Sequence, residues 1–256
     1  MDNKYAILKY FKIHYLESGK GECIILLPSL WVTSKSYRSF GEKLKDKFRV
    51  IIPDLGNTGR SSGKRLISSF DDYATLLDEF LGVIGVEKSF LVGVSFSGMI
   101  AVKYATKFPD KVKGLFLAST ALIPVKIKMA LLRGLLLGYT LLFLDNLRYR
   151  GGLKVNFLWF GDGLIDLIKH PRQFIQDALI AKKTLKNKIS ELMVPALLLL
   201  PAYEPFIPQK SYKDIEGEIK QINNLRIENI SGSHGWFFLR PGEFVGMIEK
   251  FIEELK

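Results

Sequence analysis

The sequence predicts an α/β protein with a mostly parallel central sheet that is flanked by helices and carries an inserted helical cap. Short apolar runs, too short for helices, alternate along the chain with amphipathic segments of helical length. This is the pattern of a parallel sheet that is buried on both faces. One of the runs ends in a tight turn of small residues before a helical segment. The alternation stops between residues 122 and 192, where only helical patterns occur.

The first two strands are expected at residues 4–8 and 11–16, where alternating side chains predict an antiparallel edge of the sheet. Continuous apolar runs then predict buried strands at residues 24–27, 50–52, 89–92, 114–118, 196–200 and 225–230. Helices are predicted between them and at the end of the chain, at residues 70–81, 99–108 and about 242–255.

The loss of the strand rhythm predicts a cap at residues 122–192, inserted into a core formed by residues 1–121 and 193–256. Its helical pieces include residues 128–144 and 171–185. The stretch 129–144 is strongly apolar, but it has only 16 residues and contains an arginine and two glycines, whereas a membrane-spanning helix needs about 20 apolar residues. It is interpreted as a cap helix over an apolar substrate pocket, with docking at a lipid interface as the alternative.

The formal net charge of +11 is concentrated in the predicted cap. Residues 122–190 contain twelve lysines and arginines but only four acids, and therefore hold +8 of the total. Two interpretations stay open: a lysine-rich face that water solvates, and a surface for an anionic membrane or an anionic substrate. The basic residues do not form a nucleic-acid-binding module with interleaved surface aromatics, so no nucleic-acid partner is expected.

The composition, 48% hydrophobic and 25% charged residues in 256, is that of an ordered globular protein. The single cysteine, Cys23, lies in a predicted strand and is expected to be buried and unreactive. The first residues lack an apolar signal core, from which a cytoplasmic location is expected. Neither metal nor cofactor is expected, because no Cys/His cluster offers metal ligands and no dinucleotide-binding glycine pattern follows a strand.

The turn after residues 89–92 has the features of a site for a nucleophilic serine. Ser95 stands between Gly93 and Ser97, and Gly98 follows. A turn tight enough to expose a serine hydroxyl above the strand ends leaves almost no room for side chains two residues before and two residues after it. The pattern predicts a strained backbone at Ser95, at the start of a helix.

Two segments resemble signatures of the α/β-hydrolase superfamily, in its branch of small serine hydrolases with a helical cap. The first is the turn around Ser95, and the second is residues 50–62 (VIIPDLGNTGRSS), similar to a family strand and loop with a mostly structural role. Both occur in the expected order and spacing, and the resemblance covers nearly the whole chain. It implies the α/β-hydrolase fold with a serine nucleophile, because dehalogenases and epoxide hydrolases of the family would have aspartate at position 95.

A serine hydroxyl needs a base within hydrogen-bond reach, and the chain has three histidines. His14 lies in a predicted strand, where a surface or packing role is expected. His170 precedes Pro171 at a predicted helix start, where a capping role is expected. His234 lies in the loop between the last strand and the last helix, where the resemblance places the catalytic base.

The resemblance places the acid of the triad in a loop after a late strand, and Glu204 stands at the matching position, where the family usually has aspartate. Asp214, in a helix-like stretch, is the nearest alternative. The order Ser95, Glu204, His234 is that of nucleophile, acid and base in the family.

The resemblance also implies an oxyanion hole made of two backbone N–H groups, those of Phe96 and Leu30. Phe96 follows the nucleophile, and Leu30 lies in the loop after residues 24–27. The family commonly has His-Gly where this chain has Pro28-Ser29. Proline removes one N–H group, but not that of Leu30.

The function expected from these residues is that of a cofactor-free serine hydrolase acting on a small-molecule carboxylic ester with an apolar group. Two alternatives stay open: a weakly catalytic member of the fold that binds a small ligand, and an acyltransferase that uses the same triad. The basic cap also leaves open a weak association with an anionic membrane surface.

Overall fold

The computed structural model describes residues 1–120, 143–144, 147, 152–181, 191–204 and 224–256. Its strands form one mixed sheet. They are β1 (Asp2–Ile7), β2 (Phe11–Ser18), β3 (Cys23–Leu27), β4 (Arg49–Pro53), β5 (Ser62–Gly63), β6 (Ser89–Val94), β7 (Val112–Ala118), β8 (Ala196–Pro201) and β9 (Leu225–Ile230). Each strand expected from the sequence is present, and the two-residue β5 is an addition.

The strand order is β1-β2-β4-β3-β6-β7-β8-β9, with β5 paired to β2. The β1–β2 and β2–β4 pairs are antiparallel, and every pair from β4–β3 to β8–β9 is parallel. The predicted antiparallel edge and parallel centre are therefore confirmed. In this order β6 lies between β3 and β7, so the loops after these three strands meet at one edge of the sheet.

The helices are α1 (Ser34–Leu44), α2 (Phe70–Val83), α3 (Phe96–Lys107), α4 (Gly152–Lys169), α5 (Pro171–Ile180), α6 (Trp236–Leu239) and α7 (Pro241–Glu253). Helix α2 begins at a cap in which the Asp72 N–H donates to the Ser69 hydroxyl at 3.0 Å. Asp71 and Asp72 in its first turn also stabilise the helix, because their negative charges lie near the positive end of the helix dipole. Helix α3 ends before Pro109, as the sequence predicts.

The core is divided between the two faces of the sheet. Ile25 of β3 belongs to a cluster that includes Phe80 of α2, whereas Ile24 belongs to a cluster that includes Phe244 of α7. Alternate residues of one strand thus pack on opposite faces, and the predicted burial of the sheet on both sides is confirmed. Cys23 is buried as expected, and its burial raises the pKa of the thiol to about 11.

Helices α4 and α5, which lie between β7 and β8 in the chain, are called the inserted helices below. The predicted helix at 128–144 falls outside the described residues except for its last two, and so does the part of the predicted 171–185 helix beyond residue 181. In the ranges that the structure describes, no helix is both long enough and apolar enough to span a membrane.

The inserted helices are fastened to the sheet domain by buried polar side chains. Asp177 Oδ1 accepts hydrogen bonds from the Tyr73 hydroxyl at 2.7 Å and from Gln173 Nε2 at 2.8 Å. Asp166 Oδ1 accepts the Gly59 N–H at 2.7 Å. Burial raises the pKa of both carboxyl groups to about 6, because a low-dielectric surrounding disfavours the charged form.

These raised pKa values predict an unusual pH dependence of stability. The folded chain binds the Asp177 proton more tightly than the unfolded chain, whose aspartate has its ordinary pKa of 3.8. The stabilisation is therefore present at acid pH and is lost as the pH rises from about 4 to about 6. We expect Asp177→Asn to raise the free energy of unfolding by about 1–3 kcal/mol at neutral pH. The gain should vanish near pH 4 in urea unfolding, and an equal gain at both pH values would contradict this expectation.

Candidate active site

Ser95 lies in the turn between β6 and α3, with φ 54° and ψ −119°. A positive φ at a non-glycine residue is strained and persists only when the surroundings impose it. Here close packing imposes it: a Cβ on Gly93 would lie 2.6 Å from Gly98 Cα, and a Cβ on Gly98 would collide with Thr120. The small residues around Ser95 therefore let α3 start against the strand ends.

The buried Ser97 hydroxyl connects this turn to the neighbouring strand. It accepts the Val94 N–H at 2.9 Å and donates to the Leu27 carbonyl, the last of β3, at 2.7 Å. On the other side, the Ser95 N–H donates to the Ala118 carbonyl at the end of β7 at 2.9 Å. The strained turn is thus held from both adjacent strands, which explains why serine is accommodated at position 97.

His234 lies in the loop between β9 and α6, as the sequence predicts. Its Nε2 atom is 2.9 Å from Ser95 Oγ. The loop is held by the Ser119 hydroxyl, which donates to the His234 carbonyl at 3.0 Å, and by the Trp236 N–H, which donates to the Ser233 carbonyl at 3.0 Å. The imidazole is therefore positioned by the backbone as well as by its own hydrogen bonds.

Glu204 follows β8, and its Oε2 atom is 2.7 Å from His234 Nδ1. Its side chain is only 2% exposed, and that of His234 is 12% exposed. The two loops are also joined through their backbones, because the Tyr203 N–H donates to the Gly232 carbonyl at 3.1 Å. The structure thus brings Ser95, His234 and Glu204 together, whereas Asp214 lies outside the described residues.

This geometry determines which nitrogen of His234 faces the Ser95 hydroxyl. A carboxylate accepts hydrogen bonds and does not donate them, so the Nδ1 atom facing Glu204 carries the proton. The Nε2 lone pair then faces the Ser95 hydroxyl and is able to accept its proton. A carboxylate at this position is suited to stabilise the imidazolium that such a transfer would create.

The two residues expected to form an oxyanion hole lie at the start of α3 and in the loop after β3. Phe96 is the first residue of α3, so its N–H has no carbonyl partner within the helix. Within the described residues, neither this group nor the Leu30 N–H donates a hydrogen bond. Among the described residues, the N–H groups of Phe96 and Leu30 therefore have no hydrogen-bond acceptor.

The loop around Leu30 is held by the inserted helices. Trp31, with φ 59°, stacks on Phe174 of α5 at a ring-centroid distance of 4.2 Å. Asp162 of α4 accepts the Thr33 N–H at 3.2 Å, the Thr33 hydroxyl at 2.9 Å and the Ser36 hydroxyl at 2.6 Å. Sequence reasoning missed these contacts, although an aspartate within an apolar helix was a usable signal.

The other two histidines lie elsewhere. His14 is buried, and its Nδ1 atom is 2.8 Å from Asp54 in the loop after β4. Asp54 also accepts the Ser34 N–H at 2.6 Å, in agreement with a structural role for that loop. His170 is at the N-cap position of α5 without a side-chain cap bond, so the expected capping role is not observed.

Nowhere in the described ranges do three or more potential ligands cluster in a way that could hold a metal ion.

Comparison with known proteins gives a family match over more than half of the chain. A family model described as "alpha/beta hydrolase fold" matches residues 22–165. An uncharacterized protein of Mycobacterium tuberculosis is 33% identical over 102 residues, which cover 40% of this chain and 30% of that protein. Haloalkane dehalogenase 2 of the same species is 30% identical over 112 residues, which cover 43% of this chain and 38% of the enzyme. The match thus spans about a third of the length of these relatives.

Solved structures resemble the whole chain. A thermophilic esterase from Thermogutta terrifontis superimposes with a TM-score of 0.78 at 19% sequence identity, covering 100% of this chain and 99% of the esterase. At this level of identity the likeness establishes the architecture alone.

Proposed function

The chain belongs to the alpha/beta hydrolase fold family, and from this premise we propose that it is a serine hydrolase that cleaves carboxylic esters. The observation that carries the proposal is the continuous hydrogen-bond chain from Ser95 through His234 to the buried Glu204. Such a chain activates a hydroxyl that is otherwise a poor nucleophile at neutral pH.

In the proposed reaction, Ser95 Oγ attacks the ester carbonyl carbon while His234 Nε2 takes the hydroxyl proton. The tetrahedral intermediate collapses, the C–O bond to the alcohol breaks, and His234 returns the proton to the leaving alkoxide. Water then attacks the acyl-enzyme, and His234 takes its proton and passes it back to Ser95 as the acid leaves. Glu204 keeps the imidazole oriented through both halves of the reaction.

The negative charge of the tetrahedral intermediates is assigned to the N–H groups of Leu30 and Phe96. Preorganised donors of this kind lower the barrier because they need no reorientation as charge develops on the oxygen, and each is worth about 3–4 kcal/mol. The Ser29 N–H is occupied, since it donates to the Tyr37 hydroxyl at 3.2 Å. This leaves the Leu30 N–H, the donor that the resemblance implies, for the oxyanion.

The inserted helices are assigned to a cap, residues 122–192, over the triad. Support comes from Phe174 of α5, which stacks on Trp31 of the proposed oxyanion loop, next to Leu30, which packs against the hydrophobic core. An apolar acyl or alcohol group is the corresponding substrate feature. The dehalogenation named for the mycobacterial relative is not proposed here, because Ser95 stands where dehalogenases of the family would have aspartate.

A fluorophosphonate probe and a short p-nitrophenyl ester test this proposal together. We expect the probe to label the wild-type protein at Ser95 and not the Ser95→Ala variant, and the ester to be hydrolysed by the wild type. Labelling without hydrolysis would favour an acyltransferase over a hydrolase. A protein that neither reacts with the probe nor turns over the ester would instead be a ligand-binding member of the fold.

A further inference from the structure

Helix α4 has an inverted burial pattern. Its buried residues are Gly152, Asp162 and Asp166, whereas most of its large apolar side chains are exposed and only Val155 and Trp159 are half-buried. The exposed ones are Leu153, Phe157, Leu158, Phe160, Leu164, Ile165, Leu167 and Ile168. A helix on the surface of a globular protein normally directs its apolar stripe inward and its charges outward. The two buried aspartates therefore mark the face that contacts the protein, and the apolar residues mark the opposite face.

The exposed side chains form a continuous stripe. Positions 153, 157, 160, 164 and 168 are separated by three or four residues and so lie on one side of the helix. Phe157, Phe160 and Ile168 are 69%, 73% and 71% exposed. On the adjacent α5, Ile175 and Leu179 are also exposed and are spaced by one helical turn. Single exposed apolar residues are common, but a stripe of this length marks an interaction surface.

The exposed charges on the inserted helices all have one sign. Lys154, Lys169 and Arg172 are exposed, whereas the acids of this part of the structure, Asp162, Asp166 and Asp177, are buried against the sheet domain. The sequence extends this bias, since residues 122–190 hold a net charge of +8. The exposed surface of the inserted helices therefore combines bulky hydrophobic groups with cations.

We propose that this face, formed by the exposed apolar side chains of α4 and α5 with Lys154, Lys169 and Arg172, docks onto an anionic lipid bilayer. An amphipathic helix of this composition lies in the plane of the interface, with apolar groups about 5–10 Å into the headgroup and acyl boundary. The cations meet lipid phosphates at the same level. A second copy of the chain is a poorer occupant, because two such faces would bring like charges together.

The docking surface is distinct from the groups that hold the candidate active site. On the inward face of α4, Asp162 accepts a hydrogen bond from the Thr33 N–H, and Phe174 of α5 stacks on Trp31. The outward face is then free to contact lipid while these bonds persist. The inference goes beyond the proposed ester hydrolysis and does not depend on it, because none of the docking residues belongs to the triad.

Flotation with lipid vesicles tests the inference. We expect the full-length protein to bind vesicles of phosphatidylcholine with about 30% phosphatidylglycerol and to bind pure phosphatidylcholine at least about tenfold more weakly. Raising NaCl from about 0.05 M to about 0.5 M should weaken the binding. The Ser95→Ala variant should bind as the wild type does, which separates a failure of docking from a failure of the proposed catalysis.

Two sets of variants locate the surface. Phe157→Ser combined with Phe160→Ser should weaken vesicle binding by about tenfold or more, whereas Val83→Ser, at a 55% exposed site on α2, should leave it unchanged. Lys154→Glu and Arg172→Glu should each weaken binding at least about fivefold, whereas the exposed Lys20→Glu should not. The Phe157→Ser/Phe160→Ser double variant (the serine double variant) should have the same thermal stability as the wild type. Without vesicles, it should also hydrolyse a water-soluble ester at the same rate.

Several results would overturn the inference. One is binding that ignores the anionic lipid content or survives the serine double variant. Another is a dimer, seen by analytical ultracentrifugation, that requires Phe157 and Phe160 while vesicles are not bound; the face would then belong to a second copy. A third is a wild type that binds no vesicles, together with a Phe157→Ser/Phe160→Ser variant that has lost thermal stability. The face would then be covered by another part of the same chain.

Discussion

Replacing Glu204 with glutamine is expected to lower kcat for ester hydrolysis by about 10³- to 10⁴-fold. Glutamine has the same shape, but its amide nitrogen can donate to His234 Nδ1, and the proton of the imidazole then moves to Nε2. That tautomer has no lone pair facing Ser95 Oγ, 2.9 Å away. A loss of this size corresponds to about 4–5.5 kcal/mol of transition-state stabilisation.

The measurement compares kcat and thermal stability for the wild type, Glu204→Gln and Asp214→Asn. Asp214 is the nearest alternative acid in the sequence, and its replacement should leave kcat close to that of the wild type. Folding of Glu204→Gln is followed by near-ultraviolet circular dichroism, because a buried side chain is changed. Near-normal turnover by a folded Glu204→Gln protein would return the role of the acid to another carboxylate.

The central strands and the serine turn could be predicted from the sequence because their signals are local. A continuous apolar run such as 196–200 has no room for a polar face, so it predicts a strand buried on both sides, and β8 (Ala196–Pro201) agrees. Small residues around Ser95 are required by the turn itself, whatever packs elsewhere. His234 and Glu204 were placed by the resemblance to the family, which puts the acid after a late strand and the base after the last strand; in the structure these strands are β8 and β9, two and three strands from β6.

Features that depend on distant contacts could not be predicted. Helix α1 (Ser34–Leu44) was missed because it is mostly polar and buries only one side, through residues such as Tyr37, Phe40 and Leu44. In α4 the hydrophobic pattern does not show which face turns inward, and the usual assumption that apolar residues do is wrong for most of them there. Asp162 and Thr33 are 129 positions apart, so no local pattern connects them.

The contacts of Asp162 lead to a second large expected effect, on the proposed oxyanion hole. Thr33 is the N-cap residue of α1, but its own side chain makes no cap bond; Asp162 supplies the acceptor instead, in a position that the helix dipole favours. Asp162→Ala would leave the Thr33 and Ser36 donors unpaired and release the chain three residues after Leu30. We expect kcat to fall by about 10- to 100-fold, or about 1.4–2.7 kcal/mol, because the Leu30 N–H would then be less well aligned.

The split between kcat and KM distinguishes this positioning role from a merely structural one. An oxyanion donor acts mainly in the transition state, so KM for a short ester should change little while kcat falls. Asp166→Ala is the matched control: it removes a buried carboxylate one turn along α4 that bonds Gly59 and not the segment at Thr33, and it should cause no comparable loss of kcat. Asp162→Asn, which retains an acceptor oxygen, should recover part of the rate. Equal kcat values for the two alanine variants would show that Asp162 only fastens α4 to the sheet domain.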